Sequence, residues 1–207
     1  MRKTDFKTNH NEFEKWIVWY GAFMKKLIEA QRVIRSNHEK MELIEALVLR
    51  CFVRWEVLVE DDIIVSLNRD PSTYANALGL KLRRHLSRDE SEAIVVGHRY
   101  LDFKSVDQIK NFAKKYLTGK FNPFQAIPRD VAEKIDQFAI MRNLLSHYSS
   151  FAWRSYRKMM AKYHSYKRIP EPGAYLIKTN RKTGEYHWSE YLTNFLRCSE
   201  LMRKAVC

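Results

Sequence analysis

Glycine, proline and cysteine are all scarce in this sequence. Its 207 residues include 6 glycines, 5 prolines and 3 cysteines, and 45% of the residues are hydrophobic. Few turns are therefore expected, and there is enough apolar material for the core of one domain. Cys51, Cys198 and Cys207 form no CxxC pair, so the sequence indicates neither a disulfide framework nor a zinc cluster. We expect a protein of the reducing cytoplasm.

Long apolar runs are also missing. No stretch approaches the roughly 18 apolar residues that a membrane span needs, and the first residues lead into a polar segment rather than the apolar core of a signal peptide. We therefore expect neither a membrane partner nor a leader. The chain contains no glycine-rich phosphate loop, no HExxH and no GxSxG, which argues against those enzyme classes.

Negative charge is the scarcer sign. The net charge is +13, and residues 148–207 carry twelve Lys or Arg against four Asp or Glu. Residues 41–147 are nearly balanced, with sixteen against fifteen. A basic surface is typical of proteins that bind a polyanion, although many small soluble proteins are simply basic.

Apolar spacing predicts an all-α fold. Helices are expected over residues 11–36, 39–67, 105–117, from about 130 to the stretch MRNLLSHY, and from about 150 to 166, with shorter helices over 72–100. Asn11 and Glu14 have the spacing of an N-terminal capping pair. The buried face of the first helix is predicted to comprise Phe13, Trp16, Ile17, Tyr20, Phe23, Met24, Leu27, Ile28 and Ile34.

The C-terminal region departs from this helical pattern. Residues 170–188 predict a small β-hairpin insertion, with a turn over 179–184, and residues 189–207 predict a last helix. Because a hairpin is too small to fold alone, we treat residues 1–207 as a single helical domain that carries it.

Three polar residues stand at the edge of an apolar helical pattern. On an ideal helix Arg142 shares the face of the core residues, so its guanidinium needs a carboxylate, a phosphate or water. Asn143 and His147 are separated by one turn and share a face. Arg142 and His147 point about 140° apart. Either the helix bends near residues 145–149, or a second copy brings its own pair close.

The stretch RNLLSH, residues 142–147, resembles the R-x4-6-H motif of the HEPN superfamily of helical ribonucleases, in its R-N-x-x-x-H variety. The stretch RWEVLVED, residues 54–61, is similar to the Trp-Glu-x-Phe-x-Glu segments of some bacterial HEPN families, with Leu58 in place of their Phe. The resemblance covers roughly residues 10–165. It implies a HEPN-like helical bundle with extra helices, which forms a homodimer with the two motifs facing each other across the interface.

The same resemblance implies metal-independent RNA cleavage without a cofactor. Arg142 would hold the scissile phosphate and His147 would act as general acid or base. Asn143 would orient His147 or bind a phosphate oxygen. Glu56 or Asp62 is expected to support Arg142; Asp62 falls near the centre of the apolar stripe of its helix, where a carboxylate needs a partner. A toxin or phage-defence effector is the expected role, with an antitoxin or regulatory protein as a further partner.

The segment after the motif combines cations and aromatic rings without an acidic residue. Such a pattern suits single-stranded RNA, whose phosphates meet the cations and whose bases stack on the rings. Packing of the rings in the core, with the cations in solvent, explains the pattern equally well. The RNA-binding candidates are Tyr148, Trp153, Arg154, Arg157 and Lys158.

Two other functions remain open from sequence. A non-catalytic RNA-binding or partner-binding helical module would need only the basic segment. An interaction subunit could use the helix that precedes the motif, because that helix is apolar on nearly all sides.

Overall fold

The computed structural model describes residues 5–29, 36–97, 103–164, 166 and 168–207, and within these residues it is helical with no β-strand. The α-helices are, in chain order, α1 Phe6–Glu29, α2 Asn37–Arg69, α3 Ser72–Leu78, α4 Arg88–Gly97, α5 Val106–Tyr116, α6 Arg129–His147, α7 Ser150–Tyr163, α8 Pro172–Leu176 and α9 His187–Val206. Two short 3-10 helices, Gly119–Phe121 and Pro123–Ala126, connect α5 to α6. The predicted all-α class is confirmed.

The 33-residue α2 is the central element, in contact with α1, α4, α6, α8 and α9. Its start is fixed locally, because Ser36 Oγ accepts from the Glu39 backbone N–H at 3.1 Å. The Glu39 carboxylate accepts in return from the Ser36 N–H at 3.2 Å. Rings from α1, α2, α6 and α9 pack edge-to-face or stacked in the core between them, namely Phe13, Phe52, Trp55, Phe138, Tyr191 and Phe195.

The first helix differs from its prediction at both ends. It begins at Phe6, where the Asp5 carboxylate accepts from the Thr8 backbone N–H at 2.7 Å, so Asn11 is not its cap. Residues 30–35, where the predicted helix ended, lie outside the described residues. Trp16 and Phe23, predicted as buried, are 38% and 39% exposed and lie at the edge of the packed face.

The predicted β-hairpin is wrong in its first arm. Tyr175 and Leu176 are adjacent and both fully buried, whereas neighbouring residues of a strand point to opposite faces. They lie in the single-turn helix α8, whose proline at the first position fixes a helical φ. A tight turn follows, and a lone antiparallel bridge joins Thr179 to Tyr186. The last helix then begins at His187, two residues before its predicted start.

Candidate functional site

The helix that carries the motif lies antiparallel to α2. Arg142 near the end of α6 contacts Glu56, whereas Tyr148, six residues later, contacts Glu45, which lies earlier in α2. Burial along the motif changes with helical position. Met141 and Leu144 are fully buried in the core, Leu145 is buried, and Ser146 and His147 are exposed.

Arg142 is fixed by three contacts. It forms an ion pair with Glu56 and donates from Nη1 to Asn143 Oδ1 at 2.9 Å. Its guanidinium carbon lies 5.3 Å from the centroid of the Phe52 ring, within cation–π distance. The Arg142 side chain is 20% exposed. The carboxylate that the apolar stripe required is therefore Glu56.

His147 is the last residue of α6 and is exposed. The helix ends because Tyr148 adopts the left-handed conformation, with φ +43°, and its N–H donates to Leu144 O at 2.8 Å. This break lies after His147. Arg142 and His147 thus belong to one continuous helix, on which they still diverge by about 140°. The break alone does not bring them onto one phosphate.

Asn143 is half-buried and faces Arg142 through its carbonyl oxygen. The structure therefore brings together Arg142, Asn143 and Glu56, whereas His147 lies one turn after Asn143 and points about 140° away from Arg142. Of the two alternatives from sequence, a bend and a second copy, the second is the one that would complete the set.

Asp62 does not belong to this group. It is fully buried against α1, where its Oδ2 lies 3.0 Å from His10 Nε2 and its Oδ1 lies 3.4 Å from Asn9 Nδ2. His10 Nδ1 lies 2.7 Å from Ser199 Oγ, which in turn donates to Glu14 at 3.0 Å. Asp62 thus links α1, α2 and α9. Asp62 therefore does not support Arg142, because among the described residues its carboxylate contacts His10 and Asn9 instead.

Tyr148 is held by its hydroxyl group, which donates to Glu45 Oε2 at 3.1 Å. Glu45 Oε1 also accepts from the backbone N–H of Gly173 at 2.6 Å. Burial raises the pKa of Tyr148 to about 12, and the adjacent Glu45 carboxylate acts in the same direction. Burial also raises the pKa of Glu45 above its ordinary value, against the two hydrogen bonds it accepts. The phenol is 56% exposed, so a ring face remains accessible.

The basic segment folds as α7, with Ser149 as its N-cap. Arg154, Arg157 and Lys158 are exposed, as an RNA-binding surface requires. Trp153 is half-buried, and the Arg157 guanidinium carbon lies 5.8 Å from its ring centroid. Tyr156 is fully buried, so part of the aromatic pattern belongs to the core.

Sequence reasoning missed several residues of this region. Phe151 is 73% exposed in the first turn of α7, close in sequence to His147. Phe52, beneath Arg142, and Glu45, which binds Tyr148, were assigned only to a helix. The apolar period of α7 includes Phe151, so periodicity alone gave no sign of its exposure.

Across the part of the chain that the structure describes, no three His, Cys, Asp or Glu side chains are grouped so that they could hold a metal ion. Among the described helices, none is both long and apolar enough to cross a bilayer. Comparison of the chain with known family models, curated proteins and solved structures found no match.

Proposed function

We propose that this chain is a cytoplasmic endoribonuclease of HEPN type that works as a homodimer. The observation that carries the proposal is the fixed Arg142, held by Glu56, Phe52 and Asn143 one helical turn or so before the exposed His147. An immobilised guanidinium and a solvent-accessible imidazole supply a phosphate-binding group and a proton-transfer group. The role as a toxin or phage-defence effector, with an antitoxin or regulator as partner, rests on the HEPN resemblance.

The proposed reaction uses the RNA's own 2′-hydroxyl as the nucleophile. Its oxygen attacks the adjacent phosphorus, the bond from phosphorus to the 5′-oxygen breaks, and a 2′,3′-cyclic phosphate forms. One proton leaves the 2′-oxygen and one reaches the departing 5′-oxygen. His147 exchanges these protons, and Arg142 offsets the charge that grows on the phosphate. This scheme uses no metal ion or cofactor.

The divergence of the two side chains supports the proposal of a dimer. Since Arg142 and His147 point about 140° apart on α6, a composite site would pair Arg142 of one copy with His147 of a second copy. Tyr148 and Phe151, 56% and 73% exposed, flank His147 and offer apolar contact area for such an interface.

Cleavage assays on a mixed RNA pool in EDTA test the activity. We expect wild type to produce fragments with 2′,3′-cyclic phosphate ends, and Arg142→Ala and His147→Ala to lose cleavage. His85→Ala is the matched control, because His85 is also exposed and its Nδ1 lies 2.8 Å from the backbone oxygen of Arg69, at the end of α2 far from Glu45 and Tyr148. The proposal fails if wild type cuts nothing, or if both variants cut as well as the control.

Mixing the two inactive variants tests the composite site. A heterodimer of Arg142→Ala and His147→Ala would contain one site with both residues intact. Random exchange of subunits makes half of the dimers mixed, so the mixture should regain about a quarter of wild-type activity. A mixture that stays inactive, although subunit exchange is demonstrated, would show that each site draws both residues from one chain.

A non-catalytic RNA-binding module is the second candidate. The Arg142–Glu56 ion pair favours this function, because Glu56 competes with any RNA phosphate for the guanidinium. RNA would then bind through the exposed cations of α7. This function predicts salt-dependent RNA binding that persists in Arg142→Ala and His147→Ala, with no cleavage by wild type.

A further inference from the structure

An apolar cavity lies next to the motif, between α2, α4 and α5. Its volume is about 120 Å³, and it opens to solvent where Glu60 is exposed. Glu56 and Glu60, on successive turns of α2, add carboxylates to its wall. The apolar and aromatic residues that line it, among those the structure describes, include Phe52, Trp55, Val59, Val95, Phe103 and Ile109.

The cavity and the motif share two residues. Phe52 forms part of the cavity wall and also lies beneath the Arg142 guanidinium, and Glu56 lines the cavity and also pairs with Arg142. Because α2 and α6 are antiparallel, the cavity extends from Arg142 in the direction away from His147. A nucleotide with its phosphate on Arg142 would therefore have its base within reach of the cavity.

The lining indicates which chemical group fits. Aromatic and apolar walls accept a flat ring released from stacking, as unpaired bases of RNA are. The Glu60 carboxylate repels a second phosphate, so a group that fits here carries no negative charge and donates hydrogen bonds to it. A nucleobase meets both conditions.

The bases differ in the donors that they present. Guanine has two adjacent N–H donors, N1–H and the 2-amino group, which one carboxylate accepts together through its two oxygens. Adenine and cytosine place an acceptor nitrogen beside their single amino group, and uracil flanks its N–H with two carbonyl oxygens. These acceptors would face the negative oxygens of Glu60.

We propose that this cavity binds an unstacked guanine base of the RNA strand, with Glu60 accepting from its Watson–Crick edge. The proposal rests on the proposed function for the strand's identity, because Arg142 must hold the neighbouring phosphate. It assigns to the enzyme a preference for cleavage beside guanosine.

Binding without cleavage tests the proposal separately from the activity. The probes are short RNA strands with a 2′-deoxy group at the central nucleotide, which removes the nucleophile, and with guanine, hypoxanthine or adenine as the central base. We expect the guanine strand to bind about tenfold or more tightly than the adenine strand, because a hydrogen bond to a charged group is lost. Hypoxanthine, which lacks the 2-amino group, should lie between them.

Glu60→Gln should remove the preference for guanine and leave the affinity for the adenine strand nearly unchanged. Glu60 is exposed, so this variant should fold, and a thermal melt would verify it. Glu92→Gln is the matched control, since Glu92 is exposed on α4 but does not line the cavity. It should keep the wild-type preference.

Equal affinity for the three strands, or a guanine preference that survives Glu60→Gln, would overturn the proposal. Cleavage at all nucleotides alike, together with such equal affinity, would overturn it and leave the ribonuclease function standing. A guanine preference that depends on Glu60, in a protein that cleaves no RNA, would support the cavity assignment and refute the catalytic function.

Discussion

Replacing His10 by alanine would leave the Asp62 carboxylate without its ion-pair partner in the protein interior. Both side chains are 0% exposed, and the atoms that meet are 3.0 Å apart. The remaining contact of the carboxylate is the longer one to Asn9, at 3.4 Å. Breaking a buried pair in this way costs about 3–5 kcal/mol. That is a large part of the about 5–15 kcal/mol by which a typical domain is stable.

Urea denaturation followed by circular dichroism at pH 7 measures this cost. The matched variant is the double replacement His10→Leu with Asp62→Leu. It should lie much nearer to wild type, because replacing a whole buried pair with apolar groups is often neutral or stabilising. Ser199 keeps a partner in both variants, since its hydroxyl group donates to Glu14 at 3.0 Å.

The pH dependence of the His10→Ala deficit has a definite sign. Burial raises the pKa of Asp62 above its ordinary value of 3.8, and loss of His10 removes the largest opposing contact. The folded variant therefore binds a proton more tightly than the unfolded chain does. Its deficit relative to wild type should be greatest at neutral pH and should shrink as the pH falls through the raised pKa towards 3.8.

A loss below about 1 kcal/mol, or a deficit that grows as the pH falls, would refute this account of a buried, mutually dependent pair. The double variant also separates structure from catalysis. Because Asp62 contacts His10 and Asn9 rather than Arg142, a folded double variant should retain any RNA cleavage that wild type shows. Loss of that cleavage without loss of stability would place Asp62 in the proposed site.

Other predictions concern the region around the motif. Gly173→Ala should destabilise the protein by about 1–3 kcal/mol in urea melts, because the new Cβ would lie 2.7 Å from a carboxylate oxygen of α2; Gly119→Ala, with nothing within 4 Å, is its control. Tyr148→Phe should lower the free energy of unfolding by about 1 kcal/mol through one lost hydrogen bond, and an unchanged melt would contradict that. Arg154→Glu with Lys158→Glu should weaken RNA binding and flatten its salt dependence in titrations from low to high salt; an unchanged slope would place the RNA elsewhere.

Local sequence patterns predicted most of the helices of the fold. The 3.6-residue apolar period located every long helix, because burial of one face is a property of each helix separately. Capping was less reliable: the side chain that starts a helix competes with others nearby, and Asp5 rather than Asn11 begins α1. The incorrectly predicted hairpin shows what local sequence patterns cannot predict. Tyr175 and Leu176 are both buried only because α2 and α9 enclose that turn, which no local pattern records.

The partners of charged residues were less predictable than their positions. An acid at position 62 and an arginine at position 142 were each expected to need a partner, and each has one. Helix packing, however, decides which partner each of these residues meets. His10 faces Asp62 across the α1–α2 contact, and Glu56 faces Arg142 across the α2–α6 contact. Whether His147 meets a second Arg142 depends on an interface between copies, about which one chain's sequence gives no distance.

The chain of polar contacts from Asp62 through His10 to Ser199 also bears on how the protein folds. It closes the first helix against the last, over a sequence separation of 189 residues. Contacts of such range form late, because a long loop must close first. Until His187–Val206 has been synthesised, α1 and α2 have no α9 to cover Phe13 and Trp55. The newly made chain would therefore expose apolar surface that chaperones bind, and the proposed site on α6 would be complete only when α9 docks.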